Sequence, residues 1–143
     1  MAKKSVRKKP AEKKTMSKGR NTMSRVIHFE IPAADPERAS QFYKKLFGWR
    51  IEKWPGPTEY WLVTTGPDGT PGINGGLMRN TQVKTTTNTI GVESVDKAIE
   101  AAKSAGGQLV MPKTPIPGVG YFAYCLDTEG NLFGVMQADA NAK

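Results

Sequence analysis

One arrangement of residues occurs twice along this chain of 143 residues. In the first pass, Arg25-Val-Ile-His-Phe-Glu-Ile31 is a β-branched and aromatic run with strand character. Asp35 is placed to cap a helix that has Pro36 at its first position. Ala39, Phe42, Tyr43, Leu46 and Phe47 follow at helical spacing as one apolar face, and Gly48 ends the helix. Strand-like runs come next over 49–54, 59–65 and 73–79, parted by Pro55-Gly56-Pro57 and by the turn Gly66-Pro67-Asp68-Gly69. The second pass opens with a strand over 86–93. It caps a helix with Ser94, lines that helix with Val95, Ala98, Ile99 and Ala102, and stops it at Gly106-Gly107. Strands over 108–111, 120–126 and 132–138 complete it. Pro112 halts the first of these, Pro115–Gly120 reads as a loop, and Asp127-Thr-Glu-Gly-Asn131 reads as a turn.

A repeat of this size fixes the fold class. It predicts an α+β domain of two βαβββ modules forming a curved mixed sheet around a groove. Each helix covers one face of its own half-sheet. The other faces gain cover by curling toward each other, which leaves the groove between them as the seat for a ligand. The domain is expected over 25–139, with 140–143 frayed. At 143 residues and 38% hydrophobic, the chain suffices for one core without disulfides or a structural metal.

The net charge of +8 belongs to one segment. Residues 1–25 hold ten Lys or Arg against the single acid Glu12, a charge of +9, while residues 26–143 hold eleven against twelve, a charge of −1. The sequence therefore predicts a disordered basic tail over 1–24, too poor in apolar residues to offset ordering. Three roles stay open for it: weak contact of residues 1–25 with nucleic acid or anionic surfaces, a solubilising extension, or sequence upstream of a start at Met16 or Met23. No aromatic residue interleaves with the lysines, which argues against specific single-strand binding. Cys125 is the one cysteine and cannot form an internal disulfide. It reads as a buried spectator, with no basic residue near it in sequence to activate it. No apolar run approaches the ~18 residues of a membrane span, and no secretory h-region is visible. A cytoplasmic protein without membrane insertion is expected.

His28 is the only histidine. Strand alternation puts Val26, His28 and Glu30 on one face and Ile27, Phe29 and Ile31 on the other, packed under the helices. His28 and Glu30 then face the groove as a candidate metal-free acid/base pair, Glu30 orienting the imidazole or raising its basicity. The plainer alternative is a hydrogen-bonding residue that lines a pocket, since no nucleophile or second base accompanies the pair. Alternation also turns Trp61, Met78, Thr87, Thr89, Tyr124 and Met136 toward the groove as ligand-binding candidates. Their aromatic and Met side chains suit a flat organic molecule, with ordinary core packing as the alternative. Gly75, Gly76, Gly91 and Gly134 are read as leaving room for it. No Walker, Rossmann or zinc-ribbon spacing occurs.

The run Val26-Ile-His-Phe-Glu-Ile-Pro-Ala-Ala-Asp-Pro-Glu-Arg-Ala-Ser-Gln-Phe-Tyr43, followed by Leu46-Phe-Gly-Trp49, resembles the opening of a vicinal oxygen chelate domain. That superfamily contains glyoxalase I, extradiol dioxygenases, and bleomycin- and fosfomycin-resistance proteins. Val92-Glu-Ser-Val-Asp-Lys-Ala-Ile99, Gly106-Gly107, Pro117-Gly-Val-Gly-Tyr-Phe122 and Asp127-Thr-Glu-Gly-Asn131 are similar to its later landmarks, so the resemblance covers about 25–138. It implies a glyoxalase-like fold, which by itself does not settle function. The family's metal enzymes place ligands on the first and last strands of each half. The resemblance puts His28 at the first such position and Thr87, Gly134 and Gly75 at the other three. One ligand of four does not hold a catalytic divalent metal. Only a register slip would bring in Gln137 or Glu93, and a slip flips every side chain of the strand.

No metal site and no cofactor is therefore expected. The expected function is a small-molecule-binding protein of the glyoxalase/bleomycin-resistance type that takes a small organic ligand. A homodimer is implied by the resemblance alone. One alternative is a lyase, isomerase or dioxygenase working through a metal or through His28 and Glu30. Another is a nucleic-acid-associated accessory protein acting through the tail.

Overall fold

The structure is a computed structural model and describes residues 24–143. The basic tail read over 1–24 lies outside that range except for its last residue. The chain runs β1 (Arg25–Ala33), α1 (Pro36–Phe47), β2 (Arg50–Lys53), β3 (Trp61–Thr64), β4 (Gly75–Arg79), β5 (Thr87–Gly91), α2 (Val95–Ser104), β6 (Gln108–Ile116), β7 (Gly120–Leu126) and β8 (Leu132–Ala138). This is the predicted pair of βαβββ modules. The eight strands form one mixed sheet in the order β2-β3-β4-β1-β5-β8-β7-β6. Within each half the first and last strands lie parallel, β1 with β4 and β5 with β8. The halves join through the antiparallel pair β1–β5.

The helix ends form as their residues dictate. Asp35 accepts a hydrogen bond from the Arg38 N–H at 3.1 Å, and Gly48 takes the left-handed φ of 72° that lets its N–H reach the Lys44 carbonyl. Ser94 accepts from the Lys97 N–H in the same way. Under α1 the sheet packs Ile51, Trp61, Val63 and Leu77, with Phe29, Tyr43 and Trp49 against them. Under α2 it packs Ala123, Cys125 and Val135 against Val95 and Ile99. A third cluster of Met78, Val83, Phe122 and Tyr124 covers the sheet's opposite, concave face. Val83 comes from the link between the halves, so the connection itself plugs that face.

Three expectations need correction. β6 runs on through Pro112 to Ile116 instead of stopping at Met111. It is an edge strand with register shifts on both sides of Met111, and there a missing N–H leaves no ladder bond unmade. The C-terminal residues are tied down: the Gly118 N–H donates to the Ala142 carbonyl at 3.0 Å, and Ala142 is buried. On α1, Ala39 and Tyr43 pack inward as read, but Phe42, Leu46 and Phe47 are 57%, 56% and 57% exposed. The rings of Phe29, Trp49 and Trp61 already fill the space beneath the helix, and its buried positions are Pro36 and Ser40. Among the described residues no helix is long and apolar enough to cross a membrane.

Leu77 is fully buried at the centre of the cluster under α1. Leu77→Ala should lower stability by about 2–5 kcal/mol, and loss of the cap in Asp35→Ala by about 1 kcal/mol. Urea midpoints at unchanged m-value check both.

Candidate functional site

Glu30 lies at the middle of the sheet and is 6% exposed. A carboxyl buried this far requires partners. Two phenols supply them. Tyr60, the residue before β3, donates to Oε2 at 2.9 Å, and Tyr124 of β7 donates to Oε1. No Lys or Arg pairs with Glu30 among the described residues. The Tyr60 oxygen also lies 2.8 Å from Nε2 of the half-buried His28, whose ring is within 12° of parallel to the phenol. Tyr60 has one proton. When it gives that proton to an ionised Glu30, His28 must be the donor to Tyr60, through Nε2–H. Glu30, Tyr60 and His28 thus form a chain from a buried carboxyl to an imidazole near the surface.

The environment favours neutral groups along this chain. Burial raises the Glu30 carboxyl above its ordinary 4.5, against the opposing pull of the tyrosine hydrogen bonds. Burial lowers His28 below 6.5. Both phenols are pushed up, by burial first and by the Glu30 charge second, and so remain protonated donors.

The repeat has a residue-level counterpart at this site. Glu30 pairs with Gly76 across β1 and β4, and Thr89 pairs with Gly134 across β5 and β8. Gly76-Leu77-Met78 matches Gly134-Val135-Met136. In the neighbouring strands Leu62 pairs with Gly76 and Tyr124 with Gly134, so the residue two places earlier is Tyr60 in one half and Phe122 in the other. Each ring lies over its glycine. A β-carbon on Gly76 would collide with the Tyr60 hydroxyl, and one on Gly134 would lie 2.5 Å from the tip of the Phe122 ring. The halves differ in the hydroxyl. Tyr60 carries one that serves Glu30. Phe122 carries none, and Thr89, the counterpart of Glu30, keeps a hydroxyl that is 2% exposed and has no hydrogen-bond partner. That oxygen would stand 3.1 Å from a β-carbon on Gly134, at the edge of the slot that Phe122 fills.

The sequence profile of the Glyoxalase/Bleomycin resistance protein/Dioxygenase superfamily matches residues 25–135. The chain belongs to that superfamily. Among curated proteins it is similar to CFP32, provisionally named a glyoxylase, from Mycobacterium bovis and Mycobacterium tuberculosis. Each is 27% identical over 122 residues, covering 77% of this chain and 44% of the relative. The chain therefore spans less than half the length of these curated relatives. Among solved structures it is similar to methylmalonyl-CoA epimerase from Mycobacterium tuberculosis (TM-score 0.60, 14% identity, 80% of this chain and 87% of that one). The Streptomyces coelicolor enzyme in complex with 2-nitronate-propionyl-CoA gives a TM-score of 0.62 at 14% identity, over 85% of this chain and 99% of that one. These structural likenesses show the glyoxalase fold.

The structure brings His28, Glu30, Thr87, Thr89, Met78, Tyr124 and Met136 to the concave side of the domain. Trp61 is not among them. It pairs with Leu77 and packs in the cluster under α1. Its counterpart in the second half is Ala123, which also faces a helix, so the alternation in β3 has the opposite phase to the one read from the sequence. The same phase error hid Tyr60, the residue that links His28 to Glu30. The glycines do not leave an open groove. Gly75 faces the helix side beneath the Phe29 ring, Gly76 is its concave-face neighbour and the true match of Gly134, and Gly76 and Gly134 are both covered by rings. Gln137 and Glu93 lie elsewhere: the Gln137 side chain accepts from the Val95 N–H, and Glu93 lines a shallow cleft beside α2.

For a member of this superfamily the donor set decides whether a metal fits. Of the four positions to which the resemblance pointed, His28, Thr87 and Gly134 lie on the concave side, and Gly76 replaces Gly75 there, since Gly76 pairs with Glu30 as Gly134 pairs with Thr89. No group of three or more His, Cys, Asp or Glu converges anywhere among the described residues. Both Glu30 oxygens are already engaged by phenols and the His28 Nε2 by Tyr60. This donor set does not fit a divalent ion, which normally takes three protein ligands.

The opposite shifts of Glu30 and His28 fix the sign of a pH test. A carboxyl raised on folding gives its full contribution to stability below 4.5 and loses it as pH climbs through the raised value. An imidazole lowered on folding gives its full contribution above 6.5 and loses it as pH falls. Glu30→Gln should remove the decline on going from acid toward neutral pH and leave only the His28 rise. Denaturation midpoints over that range measure it; a decline equal to wild type would mean that Glu30 does not carry the raised titration.

Proposed function

We propose that this domain binds a small organic molecule on its concave face without a catalytic metal. The observation that carries the reading is the Thr89 hydroxyl, buried and unpartnered beside the slot over Gly134. A buried polar group left unpaired costs about 1–3 kcal/mol. A domain of this size has a simple remedy in valine, which has nearly the same shape. Keeping threonine is reasonable if a ligand supplies the missing partner. The ligand enters as the Phe122 side chain turns off Gly134, which exposes a slot walled by Tyr124, Met136 and Thr89 with Glu30 behind it. Such a slot suits a flat ring that carries an oxygen.

Thr89→Val should raise the melting temperature of the free protein and abolish the stabilisation by compounds that stabilise wild type in a thermal-shift screen of aromatic, glycopeptide and thiol-adduct compounds. A variant less stable than wild type, yet still stabilised by the same compounds, would remove the argument. Protein purified without chelators should carry less than stoichiometric zinc, nickel, iron or manganese.

The Tyr60 bridge favours a second reading, metal-free proton transfer on the bound molecule. In that reading His28 exchanges a proton with the ligand and the Glu30–Tyr60 pair replaces it. Once a binding compound with an acidic C–H is known, its exchange of hydrogen for solvent deuterium should require His28, and His28→Asn should bind the compound but halt the exchange.

A further inference from the structure

Most connections between consecutive strands of this sheet are pinned by hydrogen bonds of their own. The Trp54 N–H reaches the Tyr60 carbonyl between β2 and β3, and Thr65 bonds to Asn74 and to the Ile73 carbonyl between β3 and β4. The Val119 N–H reaches the Ile116 carbonyl between β6 and β7, and Asp127 accepts from the Glu129 and Asn131 N–H groups between β7 and β8. The link between the halves, residues 80–86, differs. It is tied at its ends, where the Asn80 N–H donates to the Ala33 carbonyl and the Thr87 hydroxyl donates to the Thr85 carbonyl. Among the described residues no hydrogen bond holds 81–84 to the sheet below. One side chain does so instead. Val83 is 1% exposed while Thr81, Gln82, Lys84 and Thr85 on either side of it are exposed. It packs with Met78, with Phe122, whose ring fills the slot over Gly134, and with Tyr124, a wall of that slot.

We propose that residues 80–86 are a strap that lifts off the concave face while the sheet stays folded, with Val83 as the plug that withdraws. The strap has the length to do so. Its anchors, Arg79 and Thr87, pair with Ala33 and Glu30, three residues apart on β1, and β1 lies between β4 and β5. Two strand spacings across the sheet and three residues along it put the anchors about 14 Å apart. The chain from 79 to 87 can reach roughly 26 Å when extended. Lifting therefore pulls on neither strand. It breaks no backbone hydrogen bond of 81–84, leaves the exposed polar neighbours in water as before, and removes only one apolar side chain from the core, so it costs far less than unfolding. Its use as an entrance rests on the binding reading above. In a close-packed cluster Phe122 has no room to turn off Gly134 until Val83 leaves. Withdrawal of the plug is then the first step of ligand entry, and its return seals the bound molecule from water.

Thiol labelling of the full chain tests the strap without any ligand. Val83→Cys puts a small apolar thiol on the plug. Cys125, 1% exposed under α2 on the other face of the sheet, reports global unfolding in the same molecule. With an aromatic disulfide reagent, the thiol of Val83→Cys should react about 100-fold or more faster than Cys125. Its rate should hardly change with urea below the unfolding transition, while that of Cys125 climbs, because lifting the strap exposes little surface. Two thiols that react together, with one urea dependence, overturn the strap. So does a thiol of Val83→Cys as fast as that of Thr85→Cys, an exposed neighbour, since the strap then has no closed state. Should Val83→Cys fail to fold, Met78→Cys beneath the strap carries the same comparisons with the same outcomes. Slow labelling overturns the strap and leaves the binding reading intact; a failed thermal-shift screen does the reverse.

Discussion

The antiparallel contact between β1 and β5 is the constraint on which the rest of the domain depends. Every other strand pair lies within one half; this one alone joins the two. Its register sets Glu30 opposite Thr87 and His28 opposite Thr89, so the chemically informative residues of both halves meet at one place. Displacing that register by one residue would turn Glu30 into the apolar layer under the helices and Phe29 into the concave face. The acid, the imidazole and the unpaired hydroxyl are neighbours because two repeats share one seam.

The same seam explains how the halves diverged. Each uses a glycine on its last strand and an aromatic ring on the neighbouring strand to close its concave surface. Tyr60 and Phe122 share a place in the fold and differ by a single oxygen. In the first half that oxygen settles the needs of a buried carboxyl. In the second its absence leaves Thr89 unsatisfied. Near-symmetry in the backbone thus holds two unlike environments a few ångströms apart, one saturated with hydrogen bonds and one lacking them. A structure built to maximise stability alone would fill both with carbon.

Much of this was legible beforehand. The repeat, the caps at Asp35 and Ser94, the glycine stop at Gly48 and the turns all follow from local chemistry, and the structure has them where local chemistry puts them. The facing of β1 from His28 to Ile31 was also readable, because polar and apolar residues alternate there; the register shift between Val26 and His28 interrupts the alternation read for Val26. The errors arose where local signals were ambiguous. In β3 every residue from Tyr60 to Val63 is apolar or aromatic, so alternation alone could not choose a phase, and Trp61 went to the wrong side. The repeat itself carries the phase, since Trp61 matches Ala123 strand for strand and Ala123 faces a helix. The glycines misled for a related reason. A missing β-carbon signals close approach by something, and sequence cannot tell a ligand from the protein's own ring. Pro112 marked a strand end only because the edge position of β6 is a property of the whole sheet.

That edge has a consequence of its own. An eight-stranded open sheet has two rims of unpaired backbone groups, each a template on which foreign strands could stack. One rim here is β6, notched by Pro112 and Pro115 and broken in register. The other is β2, four residues long and bearing Arg50, Glu52 and Lys53. Neither offers a flat, unbroken row for another chain to zip onto, so growth by accretion of strands into fibres is blocked at both ends.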